Sequence, residues 1–465
     1  MLTTTDTGWK TLLSGRNGLM LGLISAGIGL HAFNQFAIVA AMPLAAAELG
    51  GRDWFSWVYS LYFIGSIAGG TSAAYLRDRL GVKSSLFWSM ALFSLGGLMA
   101  VLAPSFFFIV AGRLLQGIAD GLIVAICYSL IPANFSSAVT AKVFAVEATV
   151  WAVAALLGPL IGGLLAEAFS WHAAFLAVTP FLILLGLFTL LTTPETGSAA
   201  KAAFAPLAVA LCVTASFIFA LSSATGVIGW QVACLVLGSL ALALTVTTDG
   251  KLGPRLFPAG AFRLGSVLGH GFWMLFLMSA GHASGATYLA LIIRDVWGIG
   301  PAAVGYIVVA MALTWSAVAM ASSRIKSLKG RHFAMRAGPL FQLAGFLMIA
   351  ISIDVREILL VILSQMAIGT GFGLSWAAIN QASMEAAGDE ERDRASALLP
   401  TMSTAGYAVG SALAGMIAAA TGLTRQLSQG DPGHVAYWLY GTSAAAALVT
   451  FLLGFGVRLK AGDKG

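Results

Sequence analysis

Six ionisable side chains lie inside long apolar runs: His31, Arg113, Asp120, Glu147, His270 and His282. An ionised group surrounded by hydrocarbon costs about 3 kcal/mol or more, so such residues mark places where charge is used. The chemistry these types offer is proton and ion handling. An enclosed carboxyl such as Asp120 or Glu147 can take up and release a proton, and an imidazole titrates in the physiological range. A guanidinium stays charged and biases its neighbours. Asp120 is the leading proton-coupling candidate, with Arg113 tuning it. The two are seven residues apart. In a helix that is two turns, about 10 Å along one face, so a water or substrate group would have to bridge them. Glu147 sits near the inner end of its run and is read as a second proton site or gate. His31 and Asn34 are three apart and share a helix face, which adds His31 to the proton-coupling set.

Other polar and aromatic residues in the runs could bind a substrate. His270, Trp273 and His282 lie on one run, Gln365, Trp376 and Asn380 on another, and Asn34 and Gln116 nearer the N-terminus. Aromatic rings with a few polar anchors suit a wide pocket. His270 and His282 are twelve apart and suggest no metal pair. There is no phosphate-cradling Gly-x-x-x-x-Gly-Lys-Ser/Thr run and no distinct Ser/His/Asp array. An enzyme is therefore not expected, nor a cofactor or a metal.

The elements that must position these residues follow from composition. The chain has 465 residues, 59% hydrophobic and only 9% charged, with a mean hydropathy of +0.90. A soluble domain carries roughly 25% charged residues, so lipid must replace water over most of this surface. Runs of about 20 apolar residues can cross the bilayer. With no water to bond the backbone, they must be helices. Fourteen segments fit: 18–45, 54–76, 84–103, 106–130, 142–165, 172–192, 203–224, 228–247, 264–292, 301–322, 333–352, 357–385, 395–421 and 434–457. With a cytoplasmic N-terminus, 20 Lys and Arg fall inside and 4 outside, which places both termini in the cytoplasm. That asymmetry explains the net charge of +6 without nucleic acid. Cys127, Cys212 and Cys234 all fall in the runs and form no disulfide framework. The first run is too long for a cleavable signal and should act as an uncleaved insertion signal.

A weak internal repeat runs at an offset of 252 residues. It lays Arg113 over Gln365, Gly117 over Gly369, Gly121 over Gly373 and Gly158 over Gly410. An even offset makes the repeat parallel, the pattern of two six-helix halves around a midplane site. The expected fold is thus an all-α polytopic membrane protein of 14 transmembrane helices. Residues 1–200 and 251–465 would form the six-helix bundles, and 201–250 an inserted helix pair. Under the repeat, Asp120 falls on Phe372 and Glu147 on Leu399, so the charges are confined to the first half.

Four stretches resemble the major facilitator superfamily, most closely its 14-helix drug:proton antiporter branch. The first is Ala74-Tyr-Leu-Arg-Asp78-Arg79-Leu-Gly81-Val-Lys83, with alanine where the family pattern begins with glycine. The second is Arg113-x-x-Gln116-Gly117, and the third Gly158-Pro159-Leu-Ile-Gly162-Gly163. The fourth, Asn34 to Pro43, has an amide where drug-exporting relatives carry an aspartate. The resemblance implies a conformational latch at Asp78, Arg79, Gly81 and Lys83. It implies a hinge at Gly158, Pro159, Gly162 and Gly163, and ties Arg113 to proton coupling. It also implies a cavity lined by helices 1 and 4 and their repeat mates.

The function expected is proton-coupled efflux of small amphipathic, drug-like compounds by alternating access. The chain would work as a monomer in a bacterial inner membrane, with substrate, protons and lipid as its partners. Asn34 cannot carry a proton, which keeps open a uniporter, importer or lipid translocator not driven by protons. A non-transporting sensor or scaffold would need neither latch nor hinge.

Overall fold

The computed structural model describes residues 8–51, 55–192, 205–222, 225, 227–251, 253–299, 301–325, 327–388, 391–422 and 433–457. The expected domain boundary at 200/201 lies outside the described residues. Every regular element among them is a helix, as lipid requires of long apolar runs. In chain order these are α1 (Trp9–Leu12), α2 (Gly15–Glu48), α3 (Phe55–Val101), α4 (Phe106–Asn134), α5 (Ser137–Ala168), α6 (Trp171–Leu176), α7 (Thr179–Leu191) and α8 (Pro206–Leu221). There follow α9 (Ile228–Thr248), α10 (Val267–Ala286), α11 (Leu289–Trp297), α12 (Pro301–Ser322), α13 (Leu328–Val355), α14 (Ile358–Ala386), α15 (Arg392–Thr421) and α16 (Gly433–Leu453).

Eleven of these helices are long and apolar enough to cross a membrane. One, Trp57–Val101, is 45 residues long and is divided at Gly81, while α8 is apolar but shorter, so the span count is eleven to thirteen. Among the described residues, length and composition establish eleven to thirteen of the fourteen expected spans. The run 264–292 is parted between α10 and α11, and neither is among the eleven. The physical reason is composition: α10 carries two histidines and several Ser and Gly, and most of it is buried in protein rather than facing lipid.

Gly81 alone breaks helical geometry inside α3, with φ 78° and ψ 162°. That region is open essentially only to glycine. We expect Gly81→Ala to destabilise the protein by about 1–3 kcal/mol, read as a lower unfolding midpoint in detergent with the helix content retained.

Glycines set how closely the helices approach. Gly65 and Gly69 of α3 abut the backbone of α4 at Leu114 and Ile118, while Gly117 and Gly121 of α4 abut α3 at Tyr62 and Ser66. Their repeat mates Gly369 and Gly373 of α14 abut Met311 and Trp315 of α12 in the same way. Small residues let backbones meet where side chains would hold them apart. In the second half α10 packs on α15 and α16, and α13 on α14 and α16. The two halves meet where α15 lies on α3 and α4, and where α5 lies on α12. α8 and α9 pair with each other, and α8 touches both α3 and α15. The remaining faces expose large apolar side chains such as Phe107, Leu190 and Phe87, as a lipid-facing surface should.

Candidate functional site

α4 turns Arg113, Gln116 and Asp120 away from lipid, and all three are buried. Asp120 is met by α2: His31 Nδ1 and Asp120 Oδ2 are 2.7 Å apart. The carboxyl is 1% exposed and the imidazole 13%, so the histidine is the side of the pair nearer open space. Asp120 Oδ1 is buried and bonds no described residue.

Arg113 and Asp120 do not bond each other. Arg113 Nη1 donates to Gln116 Oε1 at 3.0 Å, and its guanidinium lies over the Tyr62 ring, 3.9 Å from the centroid. A cation held on an aromatic face in a dry site gains about 2 kcal/mol. Asn34 Nδ2 donates to the Tyr62 hydroxyl at 3.3 Å. Tyr62 therefore joins α2 to α4. Sequence reasoning missed it, since one tyrosine in an apolar run gives no signal of its own.

Glu147 of α5 is buried, not at a wet boundary, and its Oε1 accepts from Ser25 Oγ at 2.7 Å. Its Oε2 is unpartnered among the described residues. α2 thus presents Ser25, His31 and Asn34 to three separate polar groups of the other helices.

A cavity of about 50 Å³ lies beside the His31–Asp120 pair. Its wall includes His31, Gly121, Tyr128 and Trp151 from the first half, and Trp315, Trp376, Thr401 and Tyr407 from the second. This volume holds a few waters, well short of the roughly 300–1,000 Å³ of a drug-sized pocket. Contacts between the halves flank it. Ser316 Oγ donates to the Ala148 carbonyl at 2.5 Å, and Pro159 lies against Gly305. Trp151 stacks on Trp315 at 5.9 Å, and Trp315 stacks on Phe372 at 4.9 Å and meets Trp376 edge-on at 5.4 Å. The edge of His31 meets Trp151 at 5.5 Å. Trp151 and Trp315 escaped the sequence reading because a membrane tryptophan looks like an interface anchor until its neighbours are known.

The expected substrate residues divide. Trp376 is in the wall, and His282 adjoins it through ring contacts with Phe372 and Tyr407. Asn34 and Gln116 sit in the polar layer behind the wall. Gln365 is buried on α14, and Asn380 donates to the Trp376 carbonyl at 2.8 Å. His270 bonds the Ser266 carbonyl at 2.8 Å and lies against Gly456, while Trp273 donates to the Phe262 carbonyl at 3.2 Å. These last two are placed at the start of α10 and hold the loop before it.

At the expected latch, Asp78 pairs with Arg77 at 3.0 Å, whereas Arg79 lies over the Tyr75 ring. Lys83 donates to the Leu190 carbonyl at the end of α7 at 3.2 Å. At the expected hinge, Gly158 and Gly162 abut Phe36 and Ala37 of α2, and Gly163 meets open space. Among the described residues no group of three or more His, Cys, Asp or Glu gathers as a metal site would.

Comparison with known proteins agrees with this architecture. The sequence profile of the Major Facilitator Superfamily matches residues 24–398. The chain is 28% identical over 434 residues to a protein named a probable multidrug-efflux transporter of Mycobacterium tuberculosis, covering 89% of this chain and 90% of that one. It is 25% identical to the multidrug efflux pump LfrA of Mycolicibacterium smegmatis, covering 86% and 81%. Among solved structures, the proton:xylose symporter XylE superposes with a TM-score of 0.64 at 14% identity, over 93% of this chain and 94% of that one. The human organic anion transporter MFSD10 does so with 0.61 at 16%, over 94% and 97%.

Proposed function

The chain belongs to the Major Facilitator Superfamily and is a multi-pass secondary transporter rather than an enzyme, and on that footing we propose that it exports small amphipathic compounds in exchange for protons. The observation that carries this reading is the His31–Asp120 pair, closed by a 2.7 Å contact and set beside a cavity between the two halves. A proton on that pair and a substrate in the cavity compete for one place. Protonation from outside lowers the pair's hold on a cationic or polar group and releases it, and deprotonation from inside readies the cavity for the next. Glu147 of α5 and Ser25 of α2 form a second proton station, and Arg113 on the Tyr62 face fixes the local field. The relatives named as multidrug efflux transporters support the direction of transport. The arrangement of fourteen spans with both termini cytoplasmic belongs to the same reading, with α8 and α9 as an inserted pair beside α3 and α15.

Purified protein in vesicles tests this. With the proton gradient imposed, an amphipathic fluorescent dye should move against its own gradient while protons move the opposite way. Dye flux that neither responds to the gradient nor moves protons would replace this reading with a uniporter or lipid translocator.

The aromatic wall makes its own prediction. Stacked aromatic contacts contribute about 0.5–1.5 kcal/mol each beyond area. Trp315→Ala should therefore raise KM for planar substrates several-fold and leave the proton requirement intact, as read by dose–response in the same vesicles.

A further inference from the structure

A second pocket, of about 30 Å³, opens where α3 meets α15. It is bounded by Thr71 and Tyr75 of α3, Ala205 just before α8, Arg255 and Leu256 after α9, and Arg394 of α15. Both halves and the α8–α9 pair thus converge on it. The Lys/Arg asymmetry puts this end of the molecule at the cytoplasmic surface.

The segment carrying Arg255 is held in place. Asp249 accepts from the backbone N–H of Leu256 at 2.7 Å and of Phe257 at 3.1 Å. Glu391 accepts from the Ala259 N–H at 2.9 Å. Both nearby carboxylates are therefore engaged with backbone. Arg394 keeps a 3.7 Å contact with Glu391, and both side chains are about a third exposed or less. So long a contact at a wet surface is weak. Arg255 forms no ion pair with any described residue. Outside the pocket, the exposed Arg79 lies 5.2 Å from the centre of the Tyr75 ring.

Two guanidinium forks at one opening match the oxygens of a phosphate. Ala205 and Leu256 give an apolar rim. The cytoplasmic leaflet presents anionic phosphates at this depth, and basic pockets between spans on that side recognise such head groups. We propose that this pocket binds a phosphate group, delivered by an acidic phospholipid or by free phosphate, and that the bound group ties the α8–α9 pair to both halves and favours the closed α3–α15 seam. Gly70 of α3 meets Thr401 of α15 on that same seam, so closing the pocket closes the path beside the cavity. The site does not depend on the transport reaction assigned above.

The full chain in neutral detergent tests the proposal through its unfolding midpoint. Phosphatidylglycerol should raise the midpoint by several degrees, and phosphatidylcholine should not. Inorganic phosphate decides the source: a partial shift assigns the site to the lipid, and a full one to the free anion. R255Q/R394Q should start from the native midpoint without lipid and lose the shift. Should that double variant fold poorly, R255Q alone serves, because its side chain bonds no described residue. A shift undiminished in these variants, or no shift with either phosphate source, overturns the proposal.

Discussion

Asp120→Asn should abolish transport driven by a proton gradient while the protein still inserts and folds. The amide keeps the size of the side chain and can still bond His31, so the 2.7 Å contact has a neutral substitute. What it loses is the negative charge and with it the proton that the pair carries. Positioned proton-transfer groups contribute about 100-fold or more to the steps they serve. Gradient-driven accumulation should fall by at least that factor. Exchange of labelled for unlabelled substrate, which needs cavity and rocking but no net proton movement, should persist. Measuring both in one vesicle preparation separates a coupling defect from a folding defect. Asp120 leaves the mechanism if Asn at this position accumulates substrate like the native protein. If exchange is lost together with accumulation, its role is structural.

The second large effect falls on stability. Gly69 sits where an added Cβ would meet the Ile118 carbonyl and the Leu122 nitrogen, all backbone. Neither helix can yield locally, because Gly65, Gly117 and Gly121 make the same kind of contact along the seam. Overpacking a tight core costs about 1–3 kcal/mol where side chains can move aside. Gly69→Leu leaves only backbone to move and should exceed that range, giving little folded protein in a membrane extract. Gly163→Leu is the control, since a side chain there enters open space. It should fold normally. Equal yields for the two variants would show that the glycine seam does not hold α3 to α4.

The pair of predictions marks how far the sequence could be read. Charge within apolar runs singled out Asp120, Glu147, Arg113 and His31; the first three are buried and His31 is half-buried, all in the first half, where the repeat had confined the charges. That inference works because hydrocarbon makes a stray charge costly. Partners were not legible in the same way. Arg113 looked like the natural counterpart of Asp120 along one helix, yet the bond comes from His31, 89 positions earlier in the chain. Helix periodicity speaks only about one helix, and the choice of partner depends on how far apart α2 and α4 are held.

The sequence by itself determined that the chain is a helical membrane protein and where most of its apolar helices run. Both follow from a local rule, the length of an apolar run. The tertiary structure alone decided that Trp151 and Trp315 stack across the two halves, that Tyr62 carries the guanidinium, and that His270 and Trp273 brace a loop instead of facing the cavity. Aromatic and amide side chains serve equally as packing, anchor or binding wall, and only the neighbours brought in by helix packing tell these apart.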